Sequence, residues 1–274
     1  MAEHRIKPPL KWPGGKHYLA RRIVDLMPHH GHYVELYAGG LAVLWAKDPE
    51  EVSEVVNDLN GELTNFYYVL QREKLFERFA RRVAVIPFGR PQWDEAVRRL
   101  REETQASRVA RAAWFFVQNR MSMAGRMAEF TGVTKSRTRV GMNAEVSAWM
   151  GAVECLPAVH ARLRRVLIEC RPAVQLMRNH DVEGAVMYAD PPYPAETRTT
   201  PDVYGEFEMS DDDHREFLAT AKGLKHAKLL VSGYPCPLYD KALRDWNRHE
   251  FDLANHAAGG KEKRRMTEVV WCNF

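Results

Sequence analysis

Four consecutive residues, Asp190-Pro191-Pro192-Tyr193, bring a carboxylate, proline-locked carbonyls and an aromatic plane to one point of the chain. Neither proline has a backbone N–H, and each ring fixes its own φ, so these carbonyls are held rigidly and are not drawn into a helix. A planar amino group presents two N–H donors and belongs to a flat ring. Asp190 and a proline carbonyl can accept the two hydrogens while Tyr193 stacks on the ring. Accepting both turns the nitrogen lone pair out of the ring plane, the geometry for in-line attack on an electrophilic carbon. The carboxylate then stabilises the positive charge that develops on nitrogen. Such a reaction requires no metal and no covalent intermediate. Asp-Pro and Pro-Pro are also common turn formers, so a plain strand-ending turn is the competing account of these residues alone.

A second group is Glu35-Leu36-Tyr37-Ala38-Gly39-Gly40. Glycines after a buried strand let the backbone approach a ligand closely, although a Gly-Gly pair alone reads equally as a tight turn. Asp58 lies 18 residues beyond Gly40, after the next apolar run. An acid there bonds a ribose hydroxyl in nucleotide-binding α/β units. The full Gly-x-Gly-x-x-Gly fingerprint is missing, as is a phosphate site, which favours adenosine without pyrophosphate over a dinucleotide. The third group is Lys11-Trp12-Pro13-Gly14-Gly15-Lys16. A phosphate loop has four residues between its glycines and Ser or Thr after its lysine; here His17 follows Lys16, which argues against ATP. Trp12 and Lys16 beside flexible glycines suit the aromatic and charged ends of a ligand.

The elements that must position these groups follow from periodicity. Residues 33–38, 52–56, 166–169, 185–189 and 228–232 read as strands, with two terminal strands near 248–253 and 267–274 flanking a Gly259-Gly260-Lys-Glu-Lys-Arg-Arg turn. Helical patterns cover 41–47, most of 60–118 with a break at Pro87, Gly89 and Pro91, and 145–163. Ser210 reads as an N-cap, with Asp211, Asp212 and Asp213 suiting the positive end of the next helix. Strands alternating with helices predict an α/β sheet, mostly parallel, with an antiparallel edge strand from the final hairpin. Asp190 then stands at the carboxyl end of a strand, where ligands bind in open α/β sheets. Residues 119–143, rich in Gly, Thr, Ser, Arg and Met, read as a long loop or a hairpin.

Composition narrows the classes. The chain has 274 residues, 45% hydrophobic and 28% charged, enough for one large domain or two small ones. No apolar run approaches the ~20 residues of a membrane span, and no secretory segment opens the chain, so the cytosol is the expected location. Cys155, Cys170, Cys236 and Cys272 are widely and irregularly spaced, which argues against a disulfide framework or a zinc site and predicts small buried hydrophobes. Residues 81–150 hold 13 Lys/Arg against 6 Asp/Glu, a local charge of +7, while the remainder holds 27 against 30. That asymmetry suits a polyanion on one side, or simply solvated helix faces.

Taken together, Lys-Trp-Pro-Gly-Gly-Lys, Glu-Leu-Tyr-Ala-Gly-Gly, Asn57-Asp58-Leu59-Asn60 and Asp-Pro-Pro-Tyr resemble the motifs of the Dam-like DNA adenine methyltransferases, in the order of their α group. Weaker similarities extend across most of the chain: Gln118-Asn119-Arg120 with Gly125, Arg162-Leu163, Val231-Ser232-Gly233-Tyr234 and Thr267-Glu268-Val269-Val270. The resemblance implies a Rossmann-like S-adenosylmethionine-dependent methyltransferase sheet from residues 1–60 and 151–274, with a mainly helical target-recognition insert over 61–150 carrying the basic loop 119–143.

It also implies that Trp12, Lys16, Glu35, Tyr37, Gly39, Gly40, Asp58 and Asp190 serve the cofactor S-adenosylmethionine, with no metal. Asp190, Pro191, Pro192 and Tyr193 would form the catalytic motif on an adenine flipped out of double-stranded DNA. Arg120, Arg126, Lys135, Arg137 and Arg139 would meet DNA. Two departures touch the cofactor contacts: Leu36-Tyr37 replaces the usual Pro-Phe, and Leu41 follows Gly40 where a third glycine is common. The rivals are an RNA acceptor and a DNA-binding regulator without catalysis. No nuclease motif is present, so any restriction endonuclease partner would be a separate chain; the oligomeric state stays open.

Overall fold

The computed structural model describes residues 6–132, 137–198, 204–254 and 265–274. In chain order its elements are α1 (Ala20–Leu26), β1 (His32–Glu35), α2 (Ala42–Ala46), β2 (Ser53–Asn57), α3 (Gly61–Gln71), α4 (Glu73–Ala84), α5 (Arg90–Glu102) and α6 (Arg108–Met121). Next come β3 (Thr138–Arg139), β4 (Met142–Asn143), α7 (Ala144–Glu154), α8 (Leu156–Leu163), β5 (Val166–Glu169), α9 (Ala173–Asn179) and β6 (Ala185–Ala189). The chain ends with α10 (Asp211–Lys222), β7 (Lys228–Gly233), α11 (Pro237–Ala242), β8 (Asn247–Ala254) and β9 (Arg265–Cys272). Two compact units result. The first comprises Met1–Val24, Gly39–Pro49 and Asn60–Cys170; the second comprises Asp25–Ala38, Glu50–Leu59 and Arg171–Phe274.

The second unit carries six strands in the order β2-β1-β6-β7-β9-β8. The first four run parallel, with Glu35 opposite Val56 on one side and Tyr188 on the other. All five residues of β6 are buried, as a parallel strand covered on both faces requires. One face of the sheet packs Val34, Met187, Leu229, Val231 and Trp271 against Leu176, Phe217 and Tyr239 from the helices. β9 runs antiparallel to both its neighbours and lies one place inside the edge, which β8 occupies. Its early residues are therefore brought beside the carboxyl end of β7, with Val269 opposite Gly233. Ser210 caps α10 through a reciprocal bond with Asp213, and three acidic residues fill the first turn.

The first unit is helical. Phe66 stacks on Phe116 at 5.7 Å, with Phe79, Phe115 and Trp149 around them. Asn60, Ser107 and Asn143 cap α3, α6 and α7 through side-chain oxygens. Strands β3 and β4 form a small hairpin whose turn residues, Val140 and Gly141, both have positive φ (52° and 71°). That is the conformation of the primed two-residue turn.

The sequence reading needs adjustment at four places. The strand expected over 33–38 ends at Glu35, after which Leu36 and Ala38 still donate to the carbonyls of Tyr188 and Asn57. Asn119, Arg120 and Met121, read as the start of the loop, are helical, because α6 runs on to Met121 on its buried aromatic face. The single helix expected over 145–163 is two, parted at Cys155, with Pro157 in the first turn of α8 where its missing N–H costs nothing. Of the cysteines only Cys236 and Cys272 are buried; Cys170 is exposed, and none forms a disulfide. The Gly259-Gly260 turn, with Lys261, Lys263 and Arg264, lies outside the described residues. Among the described residues no helix is long and apolar enough to cross a membrane.

Candidate active site

In the second unit the Asp-Pro-Pro-Tyr segment begins one residue after β6. Asp190 and Pro192 are partly exposed, while Pro191 and Tyr193 are buried. The Tyr193 hydroxyl lies 3.1 Å from Oδ1 of Asp190 and is also hydrogen-bonded to Oε1 of Glu268 on β9. Its ring meets Tyr234, just past β7, edge to face at 4.7 Å. Burial first, then the negative charges of Asp190 and Glu268, hold the phenol well above its usual pKa. It is therefore a neutral hydroxyl at any working pH, a donor with one hydrogen.

The same sheet carries further phenols. Tyr33 donates to Oε2 of Glu35 at 2.9 Å, and burial together with that carboxylate raises its pKa too. Tyr188 and Ser232 share a hydrogen bond of 2.8 Å. Thus Glu35, at the end of β1, is a buried carboxylate held by a neighbouring strand residue. Tyr37 is packed edge-on to Phe217 at 6.0 Å, and burial, with the charge of Asp58 next, raises its pKa. Asp58 itself follows β2 and is partly exposed. Its neighbour Asn57 fixes the turn there. The amide donates to the carbonyls of Leu36 and Arg171, and its oxygen accepts from the Arg171 N–H.

In the first unit Trp12 lies against the glycine turn. A Cβ at Gly39 would come within 2.6 Å of the indole nitrogen, and one at Gly40 within 3.0 Å of the tryptophan Cβ. Gly39 has φ of +47°, so both its conformation and its space demand glycine. Tyr67 and Trp45 donate to the carbonyls of Gly39 and Gly40 at 2.6 and 2.8 Å. Lys16 is buried, and its ammonium donates to the Gly14 carbonyl at 2.9 Å.

Asn119 accepts from the N–H of Lys11 at 2.9 Å and donates to its carbonyl at 2.8 Å, satisfying both backbone groups as a neighbouring strand would. Gly125 closes on the same residue: a Cβ there would stand 2.1 Å from the Lys11 carbonyl oxygen. The notion that Gln118-Asn119-Arg120 and Gly125 belong together is thus given a physical content, a clamp on the first motif.

The basic residues part company. Arg126, Arg137 and Arg139 are exposed. Arg120 turns inward, donating to the Ala148 carbonyl at 2.9 Å, and burial lowers its pKa. Lys135 lies outside the described residues. Two residues that the sequence reading gave no role, Glu268 and Tyr234, sit at the catalytic motif. The available signal for Glu268 was its charge inside an otherwise apolar terminal strand, Val269-Val270-Trp271-Cys272. Among the described residues no cluster of three or more His, Cys, Asp or Glu is placed to hold a metal.

A sequence profile of the D12 class N6 adenine-specific DNA methyltransferases matches residues 12–256. A type II methyltransferase of Lactococcus lactis subsp. cremoris, M1.LlaDCHI, is 24% identical, the match covering 98% of this chain and 96% of that protein. M.MjaIII of Methanocaldococcus jannaschii, also a type II methyltransferase, is 23% identical over 98% of this chain and 99% of its own length. The DNA N-6-adenine-methyltransferase of Escherichia phage P1 is 26% identical over 86% of this chain, which spans about a third (32%) of that longer protein. With the profile match covering all three chemistry-bearing glycine and proline motifs from Trp12 onward, the chain belongs to the D12 class N6 adenine-specific DNA methyltransferases.

Proposed function

We propose that this chain transfers a methyl group from S-adenosylmethionine to the exocyclic amine of an adenine flipped out of duplex DNA, by direct in-line displacement. The observation that carries the reading is the placement of Asp190-Pro191-Pro192-Tyr193 directly after the buried strand β6, at the carboxyl end of a parallel sheet. Asp190 accepts one amine hydrogen, and the Pro191 carbonyl accepts the other. The carboxylate stabilises the charge developing on nitrogen and takes up the proton that must leave. Tyr193 offers the base its ring. The target amine is paired inside the duplex, so the nucleotide has to leave the stack to reach these acceptors.

The donor set fits the cofactor. A ribose diol is recognised by carboxylate acceptors, and Asp58 stands partly exposed at the end of β2, with its turn fixed by Asn57. Glu35 and Tyr37 accompany it in the second unit. Trp12, Lys16, Gly39 and Gly40, carried by the first unit, are assigned to the cofactor by their motif, with Lys16 suited to its carboxylate. When bound, S-adenosylmethionine supplies a methyl made electrophilic by its sulfonium.

For DNA, the reading assigns target recognition to residues 61–150. The exposed Arg126, Arg137 and Arg139 and the β3–β4 hairpin support it. The rest, residues 1–60 and 151–274, would be the catalytic domain, working in the cytoplasm where DNA is at hand. Incubation of the protein with unmethylated genomic DNA and S-adenosylmethionine, followed by sequencing for modified bases, tests this. Methylated adenine within one short motif is expected; bound cofactor with no modified base in DNA would overturn it.

A further inference from the structure

Glu268 is only 2% exposed, on a strand whose following residues are apolar. Burying a carboxylate there destabilises the fold unless hydrogen-bond donors compensate it. One such donor is the hydroxyl of Tyr193, 75 residues away in the catalytic motif. That hydroxyl has one hydrogen and two carboxylates within reach, Glu268 and, at 3.1 Å, Asp190. The better desolvated carboxylate gains more from the donor, and Asp190 is the more exposed of the two. The hydrogen therefore belongs on the Glu268 side. The antiparallel direction of β9 makes the meeting feasible, since it brings the start of the last strand beside the carboxyl end of β7.

We infer that Glu268 is a positioning residue: by accepting the Tyr193 hydroxyl it fixes the ring of the Asp-Pro-Pro-Tyr motif and keeps that hydrogen off Asp190, whose carboxylate must receive the amine. Tyr234, edge-on to the same ring, braces it from the side. The inference rests on the proposed reaction, and it makes a demand that a merely structural glutamate would not meet. Glu268 must act through the Tyr193 hydroxyl.

The test is a double-mutant cycle of Glu268→Leu, which removes the acceptor, and Tyr193→Phe, read as kcat and KM for DNA methylation and, separately, as melting temperature. Each single variant should lower kcat by roughly 10-fold with KM for S-adenosylmethionine nearly unchanged, and the double variant should be no worse than either single one. Losses that multiply in the double variant would overturn the inference, as would full activity in Glu268→Leu. If the wild-type protein methylates no DNA, the proposed reaction itself fails. The melting cycle then decides the pairing: coupled shifts uphold the Tyr193–Glu268 contact, and additive shifts overturn it.

Discussion

Around Asp190 in the second unit, the buried polar groups bond to one another, phenol to carboxylate and phenol to serine. Beside Lys11 in the first, two side chains of one helix bond to backbone instead: Asn119 takes both main-chain groups of Lys11, and Arg120 takes the Ala148 carbonyl. Both regions are desolvated, and both lie beside a motif legible in the sequence. The partner type separates them. A side chain that satisfies backbone holds a segment in place and has little left to offer a ligand. A phenol held between carboxylates keeps oxygen atoms where their charge and hydrogen bonding can be redirected to a substrate. Substitutions should thus alter chemistry in the one region and folding in the other.

The largest contrast should come from Asp190→Ala. We expect about a 10³-fold loss of methyl transfer, with melting temperature and S-adenosylmethionine affinity largely kept. Calorimetry beside a methylation assay checks it, and near-normal turnover would break the assignment of this region to chemistry. Next, Gly125→Ala places a Cβ against the Lys11 carbonyl at φ of +72°. A loss of about 3 kcal/mol in denaturant unfolding is expected. If this variant instead stayed stable and lost only activity, the clamp would not be the scaffold described.

A subtler division falls within the basic residues. Replacing Arg137 and Arg139 together by Ala should flatten the salt dependence of DNA binding by about two units of slope, one per lost phosphate contact, with stability unchanged. Arg120→Ala should do the reverse, lowering stability and leaving the slope alone. Titrations of binding over a range of salt would show at once whether the inward and outward arginines differ in this way.

The smallest expected effect concerns Asp181, whose carboxylate accepts from the N–H groups of Lys225, His226 and Ala227 at 2.8–2.9 Å before β7. Burial pushes its pKa up, and the three backbone donors outweigh that, so the folded-state pKa is lowered. A carboxylate shifted down contributes stability that is present above its unfolded pKa, about 3.9, and is lost as pH falls through the folded value. Asp181→Ala should therefore cost about 1 kcal/mol near neutral pH. The gap from the wild type should close below about pH 4 in acid unfolding curves; a gap independent of pH would contradict it.

Much of this could be read from residues in order. The five apolar residues of β6 had to be a buried strand, the Ser210–Asp213 cap is a local bond, and Asp190-Pro191-Pro192-Tyr193 carries its acceptors within four residues. Local dihedrals, periodicity and neighbouring side chains suffice for such features, and they determined the α/β class, the motif order and the family resemblance. The boundaries were less legible. Helix α6 continues through Arg120 because its aromatic face is buried, and burial is a property of the assembled unit rather than of the segment. Two facts belonged to the tertiary structure alone. Arg120 and Arg139 are the same residue type in one basic stretch, yet one turns inward and the other outward. Glu268 meets Tyr193 across 75 residues of sequence, because an antiparallel last strand sets its first residues beside the ends of parallel ones. No local rule encodes a contact that strand direction creates.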